Sequence, residues 1–156
     1  MEKVINRGGR IYAGVAGEYY VTAELSRRGA IATITSKNTP DFDVIGSNKD
    51  GSKIVTLQVK AGRADTGGFI VGSSEMPEYP SNSFYVFVLM KESNPPEYWV
   101  IPQNIVANIA ETNYQNWIKG RPEKSKKAPR KFEWRYLKSD KFKEKYFNNW
   151  NQLGIF

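Results

Sequence analysis

Four side chains, Glu18, Asp43, Gln58 and Lys60, combine types and spacings that can do chemistry together. The stretch PDFDVIGSNKDGSKIVTLQVKAG, residues 40–62, opens on two acids, turns at Asp50-Gly51 and closes on an amide and an ammonium two positions apart. Period-two alternation puts Thr56, Gln58 and Lys60 on one face of their strand and Val55, Leu57 and Val59 on the other. On the preceding strand Asp43 and Ile45 share one face, Phe42 and Val44 the opposite one. A hairpin register that sets Asp43 beside Gln58 and Lys60 gathers an acid, an amide oxygen and an ammonium. Such a cluster can hold a hard divalent cation through oxygen and meet the charge of a phosphate. The same spacing also fits an edge strand whose exposed face is simply polar.

Glu18 joins from a helix. Val15, Glu18, Val21, Thr22 and Leu25 follow spacings of three and four, so the carboxylate lies on an otherwise apolar stripe. Burying an ionised carboxylate without a partner costs several kcal/mol, which calls for a cation, a donor or a metal at that point. The plainer reading is a carboxylate that turns to water or pairs with Arg7 or Arg10.

Composition narrows the chemistry. The 156 residues contain neither cysteine nor histidine, which removes thiolate zinc sites, disulfides and every imidazole-based triad. Carboxylates, amides, lysines, hydroxyls and an oxygen-bound metal remain. A formal charge of +7 favours polyanionic partners, nucleic acid ahead of lipid. No apolar run is long enough for a membrane span, and MEKVINRGGR lacks a secretory apolar core, so a cytoplasmic protein with no membrane partner is expected.

The elements that must position these groups read as a single α/β domain over residues 1–156. A helix over residues 10–28 stops at Gly29. β-rich stretches follow over 30–35, 43–47 and 54–61, the last two joined by NKDG as a hairpin. The glycine- and proline-rich region 62–83 argues against a long helix, with GFIVG as a further strand. FYVFVLM, 84–90, reads as a strand buried on both faces and EYWVI, 97–101, as its neighbour. Pro102 opens a helix running towards Trp117. A basic loop spans 119–131, FEWRYL alternates like an exposed strand, and Ser139 or Asp140 caps a C-terminal helix through Trp150. No repeat and no linker is visible.

In the order GVAGEYYVTAELSRRG, PDFDVIGSNKDG and LQVKA, the first 60 to 70 residues resemble the PD-(D/E)XK nuclease superfamily, and within it the small archaeal Holliday-junction resolvases and restriction-endonuclease-like proteins. The resemblance implies a mixed α+β sheet with a restriction-endonuclease-like core: a helix, a three-stranded antiparallel meander and further strands, flanked by helices. It implies an Mg²⁺- or Mn²⁺-dependent DNA endonuclease that hydrolyses phosphodiesters with a metal-activated water. Carried over, Glu18 is the helix acid, Asp43 the central metal ligand with Asp41 as second choice, Gln58 the second acid position and Lys60 the catalytic lysine. The Val59 carbonyl adds a ligand, and a homodimer able to address two strands is implied as well. Two departures stand out. Gln58 replaces an acid and removes one unit charge, worth roughly 4 kcal/mol per unit of cation charge at about 4 Å and an effective dielectric near 20. The helix usual after the motif strand is not evident in residues 62–83.

Substrate phosphates are expected at Lys37 and Arg63 near the acids, and along the basic loop at Arg121, Lys124, Lys126, Lys127, Arg130 and Lys131, with Trp134 and Tyr136 for stacking. The alternatives are a nucleic-acid-binding domain of the same fold that lost turnover through Gln58, and a protein-interaction module using the aromatic C-terminal half.

Overall fold

The computed structural model describes residues 7–37, 39–63, 67–72, 78–91, 94–123 and 127–156. Helix α1, Arg7–Arg27, comes first; Gly29, at φ 95°, turns the chain out of it. Strands β1 (Ile31–Ile34), β2 (Val44–Ser47) and β3 (Ile54–Gly62) then form an antiparallel meander. The β2–β3 turn closes because Gly51 adopts φ 73° and Asn48 bonds back to Lys53. Strand β4 (Gly68–Gly72) leaves the main sheet, β5 (Ser83–Leu89) returns parallel to β3, and β6 (Glu97–Pro102) pairs antiparallel with β5. The main sheet therefore runs β1-β2-β3-β5-β6. Helix α2 is Gln103–Ile118; β7 (Arg130–Glu133) pairs with β4 in a separate two-stranded sheet. Helices α3 (Trp134–Lys138) and α4 (Asp140–Tyr146) and a 3₁₀ turn, Trp150–Leu153, complete the chain.

Two apolar layers sandwich the sheet, as alternation along its strands requires. On one side Val55, Leu57 and Val59 of β3 and Phe84, Val86 and Val88 of β5 pack with Val21 and Leu25 of α1. On the other, Tyr85, Phe87, Trp99 and Ile101 pack with Val106, Phe132, Trp134, Leu137, Phe142 and Tyr146 from α2, β7, α3 and α4. Strand β5 is buried on both faces, as its unbroken apolar run requires.

The mixed α/β organisation, the leading helix and the meander agree with the expectation. The C-terminal third differs. FEWRYL is not an exposed strand: β7 ends at Glu133, and Trp134 and Leu137, three apart, begin a helix that buries both. Burial of a Trp–Leu pair at helical spacing outweighs the period-two alternation of aromatic and charged residues. The following helix ends at Tyr146 rather than Trp150, because Phe147 bridges to Trp99 on β6 and Asn148 turns with φ 51°. Pro102 closes β6 and caps α2 instead of occupying its first turn. The basic loop is shorter than 119–131, since Arg130 and Lys131 belong to β7. No helix among the described residues is long and apolar enough to cross a membrane.

Candidate functional site

Asp43 sits where β2 twists away from its neighbours. Its N–H donates to Leu57 O on β3 at 2.8 Å, whereas its C=O accepts from Thr35 N–H at 2.9 Å beyond β1. The two backbone groups thus reach opposite sides, and β3 continues without its β2 partner. Val59 N–H, deprived of a backbone acceptor, donates instead to the Asp43 Oδ2 at 2.8 Å. The carboxylate is pinned to the open edge of β3 with its second oxygen uncommitted to that bond. Backbone alternation directs the Val59 carbonyl to the same open edge, because Gly62, three residues on, turns its carbonyl to Met90 beside β5.

Asp43 is the electrostatic hub. Burial lifts the Glu18 carboxyl above its ordinary value, repulsion from Asp43 lifts it further, and Lys37 partly offsets both. Burial depresses the Lys60 ammonium, and the attraction of Asp43 opposes that depression. Tyr85, wholly buried on β5, is pushed up first by burial and also by the charges of Asp41 and Asp43. Gln58 shares the β3 face of Lys60, and Tyr85 is its register partner on β5.

Glu18 reaches this rim because α1 lies close on β3. A Cβ on Gly17 would stand 2.5 Å from Ala61 Cβ and 3.3 Å from a Val59 methyl. Val21 and Leu25 are fully buried, whereas Val15 is 37% exposed; Glu18 marks the point where the helix leaves the core. Among the described residues its carboxylate makes neither an ion pair nor a side-chain hydrogen bond, so the expected pairing with Arg10 does not form.

The acid-bearing turn is held by the start of α2. Asp41 adopts φ 71°, unusual for a side-chain-bearing residue. Its carbonyl accepts from the Gln103 amide at 3.4 Å, and Gln103 is buried. The adjacent Asn104 side chain bonds both backbone groups of Tyr79, each at 2.9 Å. Tyr85, whose proton affinity Tyr79 helps to raise, donates to Val71 O at 3.0 Å. None of Tyr79, Gln103 and Asn104 carries a sequence signal beyond a polar residue at the start of a helix.

Lys37 is exposed and its charge reaches Glu18; Arg63, Arg121, Lys127 and Lys131 are exposed as well. Lys124 and Lys126 lie outside the described residues. Arg130 is 6% exposed, with Nε 2.8 Å from Glu111 and its guanidinium 3.7 Å from the Tyr114 ring centroid. It locks β7 to α2 and does not present a free guanidinium to a phosphate. Trp134 is likewise buried.

The donor set suits a hard cation. Two carboxylates that repel each other, an amide oxygen and a backbone carbonyl are oxygen ligands for Mg²⁺ or Mn²⁺, and a divalent charge would relieve the repulsion that raises Glu18. Among the described residues no group of three acidic side chains that could hold a metal is formed. Compared with known proteins, the chain matches no family model, no curated protein and no solved structure.

Proposed function

We propose that the chain is a metal-dependent DNA endonuclease of the PD-(D/E)XK kind, acting as a homodimer, with Glu18, Asp43, Gln58 and Lys60 as its site. The observation that carries this reading is the Asp43 carboxylate, bound to Val59 N–H at the parting of β2 and β3 and coupled through its field to Glu18 and Lys60. When held by Asp43, Glu18, the Gln58 amide oxygen and the Val59 carbonyl, Mg²⁺ or Mn²⁺ supplies Lewis-acid polarisation of the phosphodiester. Lys60, on a rigid strand and partly desolvated, offsets the charge that grows on the phosphoryl oxygens as water attacks phosphorus and the bridging P–O bond breaks.

Among the described residues no group of three acids that could hold a metal forms, which favours one second reading, a domain of the same fold that binds nucleic acid without cutting it. Incubation with linear, branched and single-stranded DNA in Mg²⁺ and Mn²⁺ separates the two. The enzyme cuts at least one of these, and Asp43→Ala and Lys60→Ala abolish cutting while leaving binding. Binding without cleavage in every metal and substrate would overturn the enzyme reading. Sedimentation at micromolar concentration tests the dimer.

A further inference from the structure

Net charge is divided along the chain. Residues 119–156 hold twelve lysines or arginines against four acids, a net +8, whereas residues 1–118 hold eleven against twelve, a net −1. Folding places β7, α3 and α4, which carry much of that excess, on one side of the sheet. The apolar residues of β7, α3 and α4 pack on Tyr85, Phe87 and Trp99, the face that Gln58 and Lys60 share through their register with Tyr85 and Phe87. One lateral row runs Lys60, Phe87, Trp99, Phe147. Three steps of strand spacing put the end of α4 about 14 Å from Lys60.

Helix α4 segregates its charges. Phe142 and Tyr146 are buried four residues apart. At 100° per residue Lys141 and Lys145 fall together on one flank of that apolar face, Lys143 falls on the other flank, and Asp140 and Glu144 fall opposite it. Lys138 ends α3 immediately before. Lys138, Lys141 and Lys145 are exposed, and among the described residues none is in an ion pair. Of the two aromatics that the sequence offered for stacking, Trp134 is buried and Tyr136 is half-buried, whereas these lysines lie at the surface.

We propose that Lys138, Lys141 and Lys145 form a phosphate-contacting flank of the substrate path, taking the backbone of a nucleic acid whose reacting phosphate lies at Asp43 and Lys60. The inference rests on the site reading given above. With successive phosphates of one strand about 3.4 Å apart along the axis, a 14 Å separation corresponds to about four nucleotides. The flank therefore holds the strand about four steps from the cut, and it acts through charge without selecting bases. A nucleic acid suits it better than an anionic membrane because the lysines share the sheet face of Gln58 and Lys60.

The test is the salt dependence of duplex binding by the full chain in EDTA, where no turnover occurs. Removing three phosphate contacts lowers the slope of log K against log salt by about 2 to 3, so Lys138→Ala/Lys141→Ala/Lys145→Ala is expected to lose that much. The triple Glu variant loses more, and Lys49→Ala/Lys53→Ala, at the far end of β3, loses nothing. An unchanged slope in the triple Ala variant, an equal loss in the control, or wild-type binding to phosphatidylserine vesicles but not to duplex overturns the flank. If the wild type cuts in Mg²⁺ while the triple Ala variant keeps its full slope, the flank falls and the site reading stands. If the slope drops as expected but nothing is ever cut, the flank stands and the enzyme reading falls.

Discussion

Glu18 and Lys60 are each held where burial disfavours their charged form. Because the folded state binds the Glu18 proton more tightly than the unfolded chain does, stability falls as pH rises from the ordinary carboxyl value of 4.5 to the raised one. Glu18→Gln should therefore raise Tm near neutral pH and give no gain well below the carboxylate range, as thermal melts across pH will read. Lys60 has the opposite sign. Its folded form gives up the proton more readily, so stability rises with pH between the lowered value and 10.5. Lys60→Met should raise Tm near neutral pH while removing the proposed cleavage, a gain of stability at the cost of function. Gln58→Glu restores the third acid, and Mn²⁺ binding measured by calorimetry should tighten by about tenfold or more, roughly 1.4 kcal/mol. An unchanged affinity would place Gln58 outside the ligand set.

At the scale of elements, the approach of α1 to β3 sets the distance between Glu18 and Asp43. Gly17→Ala gains up to about 1 kcal/mol of helix propensity, but the new Cβ would stand 2.5 Å from Ala61 Cβ and force the helix outward at a cost of about 1–3 kcal/mol. The variant should lower Tm and metal affinity together, and Gly17→Ala/Ala61→Gly should restore both. At the start of α2, Asn104→Ala frees both backbone groups of Tyr79. It should reduce kcat severalfold with little change in Tm, since the pair is exposed. The legible elements were those written in local pattern. Alternation over residues 54–61, the NKDG turn and the spacing of Val21 and Leu25 are short-range signals, and with them came Asp43 and Lys60. Parallel pairing of β3 with β5 and the separate β4–β7 sheet are long-range contacts with no local signature. Residues 132–137 carried both a period-two and a helical pattern, and only the burial of Trp134 and Leu137 decides between them. Tyr79, Gln103 and Asn104 were invisible because their importance comes from partners more than 20 residues away.

The whole molecule joins an N-terminal part of nearly balanced charge, which carries the acids, to a strongly basic C-terminal part whose β7, α3 and α4 pack on the sheet face opposite α1. That division explains why composition pointed to a polyanion while the candidate chemistry lay in carboxylates. Both parts serve one idea, that Glu18, Asp43, Gln58 and the Val59 carbonyl surround a place for a divalent ion. The most direct measurement is an anomalous difference map from a crystal soaked in manganese. A peak within coordination distance of Asp43 and at least one of Glu18, Gln58 and Val59 O is the predicted result. A map with no peak there, at a manganese concentration that saturates binding in solution, would contradict the account.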